Sequence, residues 1–317
     1  MSLLDTFYLY VTRSCNLQCV YCYFTTKSPM SYELSTAEMI AVLQDVCLLK
    51  PRRIVFTGGE PLLRKDLIQF GQTIKNIGIK IRSCLQTNGT LITRDNAVNL
   101  VDSFDEIRIS IDGLETINDT LRGAGTFKKV MDAFHYIIKA GGDPRAFITV
   151  SDFNLPHLKK LMNFLLSHGI VKIHLSPLKI IDKISNKTIM CKKEELKRIM
   201  VEFCHETLGI QLKSERTEKF NCGVGKFITV FPNGSIYPCH LLAFPELCLG
   251  DVREIRLSDL YRQSCIMNKL RRLDFRELTQ CVECFKNLSR ENMCLGNYTR
   301  EKDLKSQLVD FLRDKVF

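Results

Sequence analysis

The sequence lacks the features that mark membrane, secreted and repetitive proteins. No apolar run approaches the roughly eighteen residues that a membrane span requires. The first residues, MSLLDTFYLYVTRSC, have neither the basic start nor the long apolar stretch of a signal peptide. No internal repeat and no low-complexity segment stands out. With 45% hydrophobic and 25% charged residues, the composition is that of an ordinary globular protein, which we expect to be cytoplasmic.

Cysteine, in contrast, is abundant, with 14 among 317 residues. Because disulfides seldom persist in a reducing cytoplasm, this number indicates metal sites or redox chemistry. Some cysteines have a simpler explanation. Those in apolar stretches, such as DVCLL and IRSCLQ, are predicted to be small buried hydrophobic side chains: Cys47, Cys84, Cys191, Cys204 and Cys265.

The charge balance favours an anionic partner. The net charge is +10, from 45 Lys and Arg against 35 Asp and Glu, which would suit an acidic peptide, a nucleotide or a nucleic acid. The basic residues are dispersed, and the densest cluster, Lys269–Arg272, fits a solvated helix face. Nucleic-acid binding is therefore disfavoured.

Strand-like and helix-like segments alternate over the first two thirds of the chain. The strand-like runs are Phe7–Thr12, Arg53–Thr57, Ile79–Gln86, Glu106–Ile111, Ala146–Val150 and Lys172–Ser176. The amphipathic helix-like runs are Ser35–Lys50, Asp66–Ile77, Arg94–Ser103, Phe127–Ala140 and Leu155–Ser167. Such alternation predicts an α/β protein with a parallel sheet. Six strands are fewer than a closed eight-stranded barrel needs, and periodicity alone does not separate an open barrel from a doubly wound sheet.

A change of character after about residue 205 predicts two domains, 1–205 and 206–317. The later part contains Phe227–Val230, an Asn-Gly turn and Ser235–Tyr237, a pattern typical of a β-hairpin. It also contains cysteines from Cys222 onward. We expect a catalytic α/β domain followed by a small cysteine-bearing domain.

Three cysteines lie close together directly after the first predicted strand. In the segment CNLQCVYC, Cys15, Cys19 and Cys22 fall within eight residues. Iron–sulfur clusters normally take four cysteines, so three thiolates on one loop would leave one iron without a protein ligand and open to a substrate. Zinc is the alternative metal, but no nearby His or Cys completes a tetrahedral set.

The motifs in combination resemble the radical S-adenosylmethionine (SAM) superfamily. The resemblance rests on the segments CNLQCVYC, FTGGEPLL, QTNGT and RISIDG. It implies a partial (β/α)6 barrel of the TIM type, in which the three cysteines hold a 4Fe-4S cluster bound to S-adenosyl-L-methionine. It also implies the reaction, since one electron from the cluster would cleave SAM and give a 5′-deoxyadenosyl radical that abstracts hydrogen from a substrate.

The same resemblance assigns the cofactor contacts. Cys15, Cys19 and Cys22 would be the catalytic ligands, and the cofactor contacts would be Tyr21, Gly58, Gly59, Glu60, Asn88, Ser110, Asp112 and Arg122. Tyr21 would lie against adenine, Glu60 would bind the amino group of SAM, and Arg122 would pair with its carboxylate. Apart from Tyr21, these residues have plainer alternatives: a turn for the GGEP segment, loop caps for Asn88, Ser110 and Asp112, and a solvent-facing side chain for Arg122.

The later cysteines resemble a SPASM or Twitch extension, which binds auxiliary iron–sulfur clusters. The resemblance rests on Cys222, Gly234 followed by Cys239, and the pair Cys281 and Cys284. Where a full SPASM pattern has its next cysteine, this chain has Arg290, followed by Cys294. One auxiliary cluster on the first four cysteines is therefore favoured. A set that uses Cys294 and a structural zinc at the same thiols remain open alternatives, and Cys248 has no assigned role.

The resemblance favours an enzyme that matures a ribosomally synthesised peptide. Related enzymes with this extension often modify peptides, and the basic surplus would suit an acidic leader. Because Cys15 comes so early, we expect any leader-binding domain to be a separate partner protein. The cluster would also need an external one-electron reductant such as flavodoxin or ferredoxin. Radical oxidation or rearrangement of a small molecule, such as an aminoglycoside or a cofactor precursor, is the second enzymatic interpretation, and a cysteine-rich metal-binding scaffold is the non-enzymatic one.

Overall fold

The computed structural model describes residues 4–22, 32–178, 198–199, 223–273 and 308. The chain forms two compact units that interleave along the sequence. Unit one comprises Met1–Ser14, Lys27–Ser83 and Arg216–Phe317, and unit two comprises Cys15–Thr26 and Cys84–Glu215. Within the described ranges, no helix is both long and apolar enough to cross a membrane.

Unit one contains a mixed sheet. Its strands are β1 (Thr6–Thr12), β2 (Arg53–Gly58), β7 (Phe227–Val230), β8 (Ser235–Tyr237) and β9 (Gly250–Asp251), in the order β2-β1-β7-β8-β9. β1 pairs in parallel with both β2 and β7, whereas β8 is antiparallel to both β7 and β9. Its helices are α1 (Thr36–Cys47), α2 (Leu67–Asn76), α7 (Leu257–Gln263) and α8 (Cys265–Arg272).

The first helix of unit one begins at a capping box and anchors a later part of the chain. The Ser35 side chain accepts from the backbone N–H of Glu38, and the Glu38 carboxylate accepts from the backbone N–H of Ser35. Farther along α1, Asp45 accepts from the Ser258 hydroxyl at 2.6 Å and from its backbone N–H at 3.2 Å. The helix that opens near Ser258 is therefore tied to α1 by polar contacts as well as by packing.

Unit two contains parallel strands with helices between them. The strands are β3 (Arg82–Thr87, its first two residues counted with unit one), β4 (Glu106–Ser110), β5 (Arg145–Val150) and β6 (Lys172–Pro177), in the order β3-β4-β5-β6. The helices are α3 (Arg94–Ser103), α4 (Glu115–Arg122), α5 (Thr126–Lys139) and α6 (Leu158–Ser167). A short 3-10 turn, Leu155–His157, leads into α6.

The predicted elements are confirmed with small shifts of their ends. All six strands, the five helices and the hairpin form where the sequence predicts them. Gly141 and Gly169 follow helices with φ of +83° and +76°, the left-handed conformation expected after a helix C-terminus. Helix α4 is not predicted by the sequence. The predicted boundary near residue 205 lies outside the described residues.

The cysteines with a predicted structural role divide into three groups. Cys47 and Cys84 are buried, as predicted. The prediction for Cys265 is wrong, because this residue is exposed at the start of α8, whose buried side chains are Met267 and Leu270. Cys191 and Cys204 lie outside the described residues.

Candidate active site

The three-cysteine loop of unit two is held in place by α4. The backbone N–H of Val20 donates to the carbonyl oxygen of Leu121 at 2.9 Å, near the end of that helix. Within the loop, the N–H of Cys22 donates to the carbonyl oxygen of Cys19 at 3.1 Å. The three cysteines are each half-buried. The loop thus presents its sulfur atoms from a backbone that is fixed at two points.

The thiol chemistry fits an iron–sulfur cluster. Burial raises the pKa of the Cys19 thiol, the Arg122 guanidinium opposes the rise, and the neighbouring Cys22, Asp112 and Cys15 reinforce it. A ligand thiol must be deprotonated, and a positively charged metal group stabilises the thiolate that burial disfavours at Cys19. In the described part of the chain, no three His, Cys, Asp or Glu side chains converge on one metal ion. A four-iron cluster does not require that convergence, since each thiolate binds its own iron.

A polar cluster connects Tyr21 of this loop to Asp112 and Arg122 in unit two; Asp112 and Arg122 are buried and Tyr21 is half-buried. The Asp112 carboxylate accepts from the Arg122 Nε at 2.6 Å and, with the same oxygen, from the Tyr21 hydroxyl. The Arg122 guanidinium also lies over the Tyr21 ring, 5.7 Å from its centroid. Burial raises the pKa of Tyr21 well above its usual value, so the hydroxyl remains a hydrogen-bond donor. Asp112 is 1% exposed and Arg122 6% exposed, and this arginine is therefore not solvent-facing.

Further contacts, not foreseen from the sequence, fix Asp112. Its second carboxylate oxygen accepts from the backbone N–H of Thr149 at 2.8 Å. Its own backbone N–H donates to the Asn118 side chain at 3.1 Å, and its carbonyl oxygen accepts from the Asn154 side chain at 2.8 Å. Both asparagines are buried. No sequence pattern identifies this role, because Asn118 lies within α4 and Asn154 directly precedes the 3-10 turn Leu155–His157.

Asn88 connects the end of β3 to the cysteine loop. Its side-chain nitrogen donates to the side-chain oxygen of Asn16 at 2.9 Å and lies 4.0 Å from the Cys15 sulfur. Its side-chain oxygen accepts from both the backbone N–H and the hydroxyl of Thr90. Ser110, another predicted contact, is buried at the end of β4. The structure therefore gathers Tyr21, Asn88, Ser110, Asp112 and Arg122 with the cysteines in one unit.

The Gly58–Glu60 segment belongs to unit one, where its glycines allow backbone to approach backbone. Gly58 has a φ of +138°, and a Cβ on Gly59 would lie 2.1 Å from the carbonyl oxygen of Ser14. Glu60 is fully buried, and its carboxylate accepts from the backbone N–H of Leu62 at 3.1 Å. The close approach of one backbone segment to another therefore explains why positions 58 and 59 are glycine. The predicted contact of the three residues with SAM stays a prediction.

Of the predicted auxiliary ligands, the structure describes Cys239. It is half-buried after β8, and its sulfur lies 3.9 Å from Nδ1 of His240. Cys222, Cys281, Cys284 and Cys294 lie outside the described residues. Cys248, which has no predicted role, is exposed, and its thiol donates to the carbonyl oxygen of Gly250 at 3.6 Å.

Family models match both parts of the chain. The Radical SAM superfamily model matches residues 9–165, and the SPASM model, described as an iron-sulfur cluster-binding domain, matches residues 222–285. An uncharacterized protein of Methanocaldococcus jannaschii is 32% identical over 269 residues, which cover 81% of this chain and 93% of that protein. An AdoMet-dependent heme synthase of Oleidesulfovibrio alaskensis is 28% identical over 80% of this chain and 73% of its own length.

Solved structures show the same fold at low sequence identity. Streptococcus suis SuiB bound to S-adenosylmethionine superposes with a TM-score of 0.77 at 16% identity, covering 96% of this chain and 76% of SuiB. The enzyme anSMEcpe with bound AdoMet gives a TM-score of 0.68 at 17% identity and covers 96% of both chains. The predicted fold class, a partial α/β barrel of parallel strands with an iron–sulfur C-terminal domain, is confirmed.

Proposed function

Because the chain belongs to the radical SAM superfamily and carries a SPASM domain, we propose that it is a peptide-maturing enzyme that removes hydrogen from a ribosomally made substrate. Membership of the superfamily establishes a radical SAM enzyme with a 4Fe-4S cluster and S-adenosylmethionine as cofactors, and the SPASM domain adds auxiliary iron–sulfur binding. The peptide substrate and the role of each residue below are the proposal.

The three thiolates of Cys15, Cys19 and Cys22 hold the catalytic cluster and leave one iron for SAM. When bound, the cluster and SAM would supply the radical chemistry that removes a hydrogen atom from the substrate. The chain contributes the thiolates, the fixed loop and a water-poor surrounding. The half-buried state of the three cysteines supports this role, because it leaves the loop accessible to a cofactor while limiting its contact with solvent.

The polar cluster of Tyr21, Asp112 and Arg122 orients the loop for the cofactor. The Asp112 carboxylate holds the Tyr21 hydroxyl and the Arg122 guanidinium on one oxygen, so the tyrosine ring next to Cys22 has little freedom to rotate. A fixed ring offers a flat surface for adenine. The contact of the buried pair Asp112 and Arg122 with Tyr21 of the cysteine loop is the observation on which the assignment of the site depends.

Charge and fold similarity support a peptide substrate. The net charge of +10 favours an acidic leader peptide. One of the similar solved structures is SuiB bound to its precursor peptide SuiA, with a TM-score of 0.78. The proposal includes a reducing compartment such as the cytoplasm, an electron donor such as flavodoxin or ferredoxin, and a separate protein that binds the leader.

A small-molecule substrate is the second candidate, and the sequence relatives favour it. The Oleidesulfovibrio alaskensis relative, which this chain matches over 80% of its length, is named as a heme synthase. That similarity extends over more of the sequence than a shared cysteine motif would produce. A carboxylate-bearing macrocycle is therefore the alternative to a peptide.

For the auxiliary site we propose one cluster on Cys222, Cys239, Cys281 and Cys284. The SPASM match, residues 222–285, includes these four cysteines and ends before Cys294, which supports them over the set that uses Cys294. An iron and sulfide count of about eight each per chain, after anaerobic reconstitution, is expected for two 4Fe-4S clusters. A count of about four each would contradict the auxiliary cluster.

The test of the central proposal is reductive cleavage of SAM by anaerobically reconstituted protein. We expect release of 5′-deoxyadenosine that requires dithionite and is lost in Cys19→Ala. The exposed Cys265→Ala is the matched control, because it removes a thiol that lies outside the proposed site. If wild type and Cys19→Ala released the same amount, the cysteine loop would not be the reacting centre. To separate the two substrate classes, the enzyme is tested with a co-expressed precursor peptide and with a porphyrin. A mass change in the peptide supports peptide maturation, and a mass change in the porphyrin supports a small-molecule substrate.

A further inference from the structure

A three-residue contact in unit one joins the segment before β7 to helices α7 and α8. The carbonyl oxygen of Gly225 accepts from the Tyr261 hydroxyl at 2.9 Å and from the Arg271 Nε at 3.3 Å. The Arg271 guanidinium also lies over the Tyr261 ring, 4.2 Å from its centroid. A Cβ on Gly225 would lie 2.6 Å from the backbone nitrogen of Arg271, so the two backbones touch. We call these three residues the Gly225 contact.

One exposed cation directly follows each member of the Gly225 contact in the sequence. These cations are Lys226, Arg262 and Arg272, and all three are exposed. Across the part of the chain that the structure describes, none of them forms an ion pair. Because adjacent Cα atoms are about 3.8 Å apart, the Gly225 contact holds the backbones that carry the three cations close together. We call the three side chains the cationic surface.

The sequence around the cationic surface is strongly basic. The segment Arg256–Leu273 contains five basic residues and one acidic residue, Asp259, and so has a net charge of +4. A second acidic residue, Asp5, lies nearby, because its backbone N–H donates to the carbonyl oxygen of Lys226 at 2.8 Å. The Asp5 carboxylate pairs with Arg52 at 2.6 Å. A surface of this charge attracts a partner with the opposite charge.

The cationic surface lies at the end of the hairpin that carries a proposed auxiliary ligand. Strands β7 and β8 are antiparallel, so Cys239, which follows β8, lies at the end where Lys226 leads into β7. The ring of Tyr8 supports this placement, because its centroid lies 6.3 Å from that of Phe227 and 5.5 Å from that of His240. A protein bound to the cationic surface would therefore lie beside this ligand.

We infer that the cationic surface binds a small acidic electron-transfer protein of the ferredoxin or flavodoxin class. This inference rests on the proposed auxiliary cluster and adds the place where its electron carrier docks. A few exposed cations suffice for such a partner, because electron-transfer complexes are small and transient and are guided by charge. An acidic leader peptide has the same charge, but its binding does not require a position beside Cys239. The position of the surface therefore favours the electron carrier.

The test measures the affinity of the anaerobically reconstituted holoenzyme for a purified acidic ferredoxin, at low and at physiological ionic strength. The variant combines Arg262→Gln with Arg272→Gln. We expect the variant to bind the ferredoxin about three- to thirty-fold more weakly than wild type at low ionic strength, the combined effect of two exposed charge pairs. Added salt should weaken wild-type binding, and it should weaken binding of the variant less.

Lys128→Gln together with Lys129→Gln is the matched control, because it removes two exposed charges from α5 in unit two and should bind the ferredoxin as wild type does. Equal affinity of wild type and the double arginine variant, with unchanged iron content, would overturn the inference. If a glutamate-rich peptide bound through the two arginines while the ferredoxin bound both proteins equally, the choice of partner would be wrong. The iron and sulfide count and the dithionite-driven release of 5′-deoxyadenosine need no carrier, so they test the auxiliary cluster and the proposed function separately.

Discussion

Asp112→Asn should destabilise unit two strongly, because it removes the charge that compensates the buried Arg122. The two side chains form an ion pair of 2.6 Å at 0% and 7% side-chain exposure. Breaking a buried pair by removing one partner typically costs about 3–5 kcal/mol, which is a large part of the roughly 5–15 kcal/mol that stabilises a whole domain. Asparagine keeps an oxygen that can accept from the Thr149 N–H, so the interactions that are weakened are mainly those with Arg122 and Tyr21.

The measurement is the free energy of unfolding in urea under anaerobic conditions, with Asp143→Asn as the matched control. Asp143 pairs with Lys172, and both side chains are largely exposed, so the control should cost about 1 kcal/mol or less. A second variant, Asp112→Asn with Arg122→Met, removes the uncompensated charge and should recover a substantial part of the loss. The reasoning is refuted if Asp112→Asn costs no more than Asp143→Asn, or if the double variant is less stable than the single one.

Three further predictions concern unit one. Gly59→Ala should lower the unfolding free energy measured by urea titration by about 1–3 kcal/mol, because its Cβ would lie 2.1 Å from the Ser14 carbonyl oxygen, and an unchanged free energy would contradict this close approach. Hydrogen bonds from Ser35 hold the pKa of Glu38 below its usual 4.5. The Glu38 carboxylate therefore contributes to stability above about pH 4.5, and this contribution is lost as the pH falls through the lowered pKa of the folded state. Glu38→Gln should make the melting temperature depend less on pH in that acidic range. Ser258→Ala should lower the free energy of unfolding by about 1–2 kcal/mol, because Asp45 loses its hydroxyl donor. Limited proteolysis should then cleave the chain after α1 faster than in wild type, and an unchanged rate would count against that contact.

The order of strands and helices was predictable because both have a strong local signal. Buried strands are short continuous apolar runs, and the helices repeat apolar residues every three to four positions. Helix α4 lacks that signal, because its eight residues, ETINDTLR, contain only Ile117 and Leu121 as apolar side chains. Its position depends on Asp119, which accepts from the N–H groups of Gly125 and Phe127 and so shapes the turn into α5.

The candidate site was predictable in its residues but not in its contacts. The cysteine motif, Asn88 and Asp112 follow strand ends, where parallel α/β proteins gather functional groups. The partner of Arg122 was not predictable, since a solvent-facing arginine and a ligand-binding arginine fit the sequence equally well. Its pairing with Asp112 depends on the fold of α4 back onto the end of β4. Asn154 reaches Asp112 across 42 positions of the chain, a separation at which local patterns carry no information.

The error at Cys265 has a simple physical cause. The segment SCIMNKL looks apolar around the cysteine, but a helix buries only the face that contacts its neighbours. Met267 and Leu270, three positions apart, form that face in α8. Cys265 comes two positions before Met267, on the opposite side of the helix, and is exposed.

The placement of β1 between β2 and β7 has a consequence for synthesis on the ribosome. Thr6 pairs with Arg53 on one side and with Phe227 on the other, so one edge of the first strand is covered early and the other only when most of the chain has emerged. Until then its unpaired edge is open to association with other chains. A nascent chain stalled before Phe227 should therefore bind a chaperone that recognises exposed strands. A chain elongated past β7 should no longer bind it.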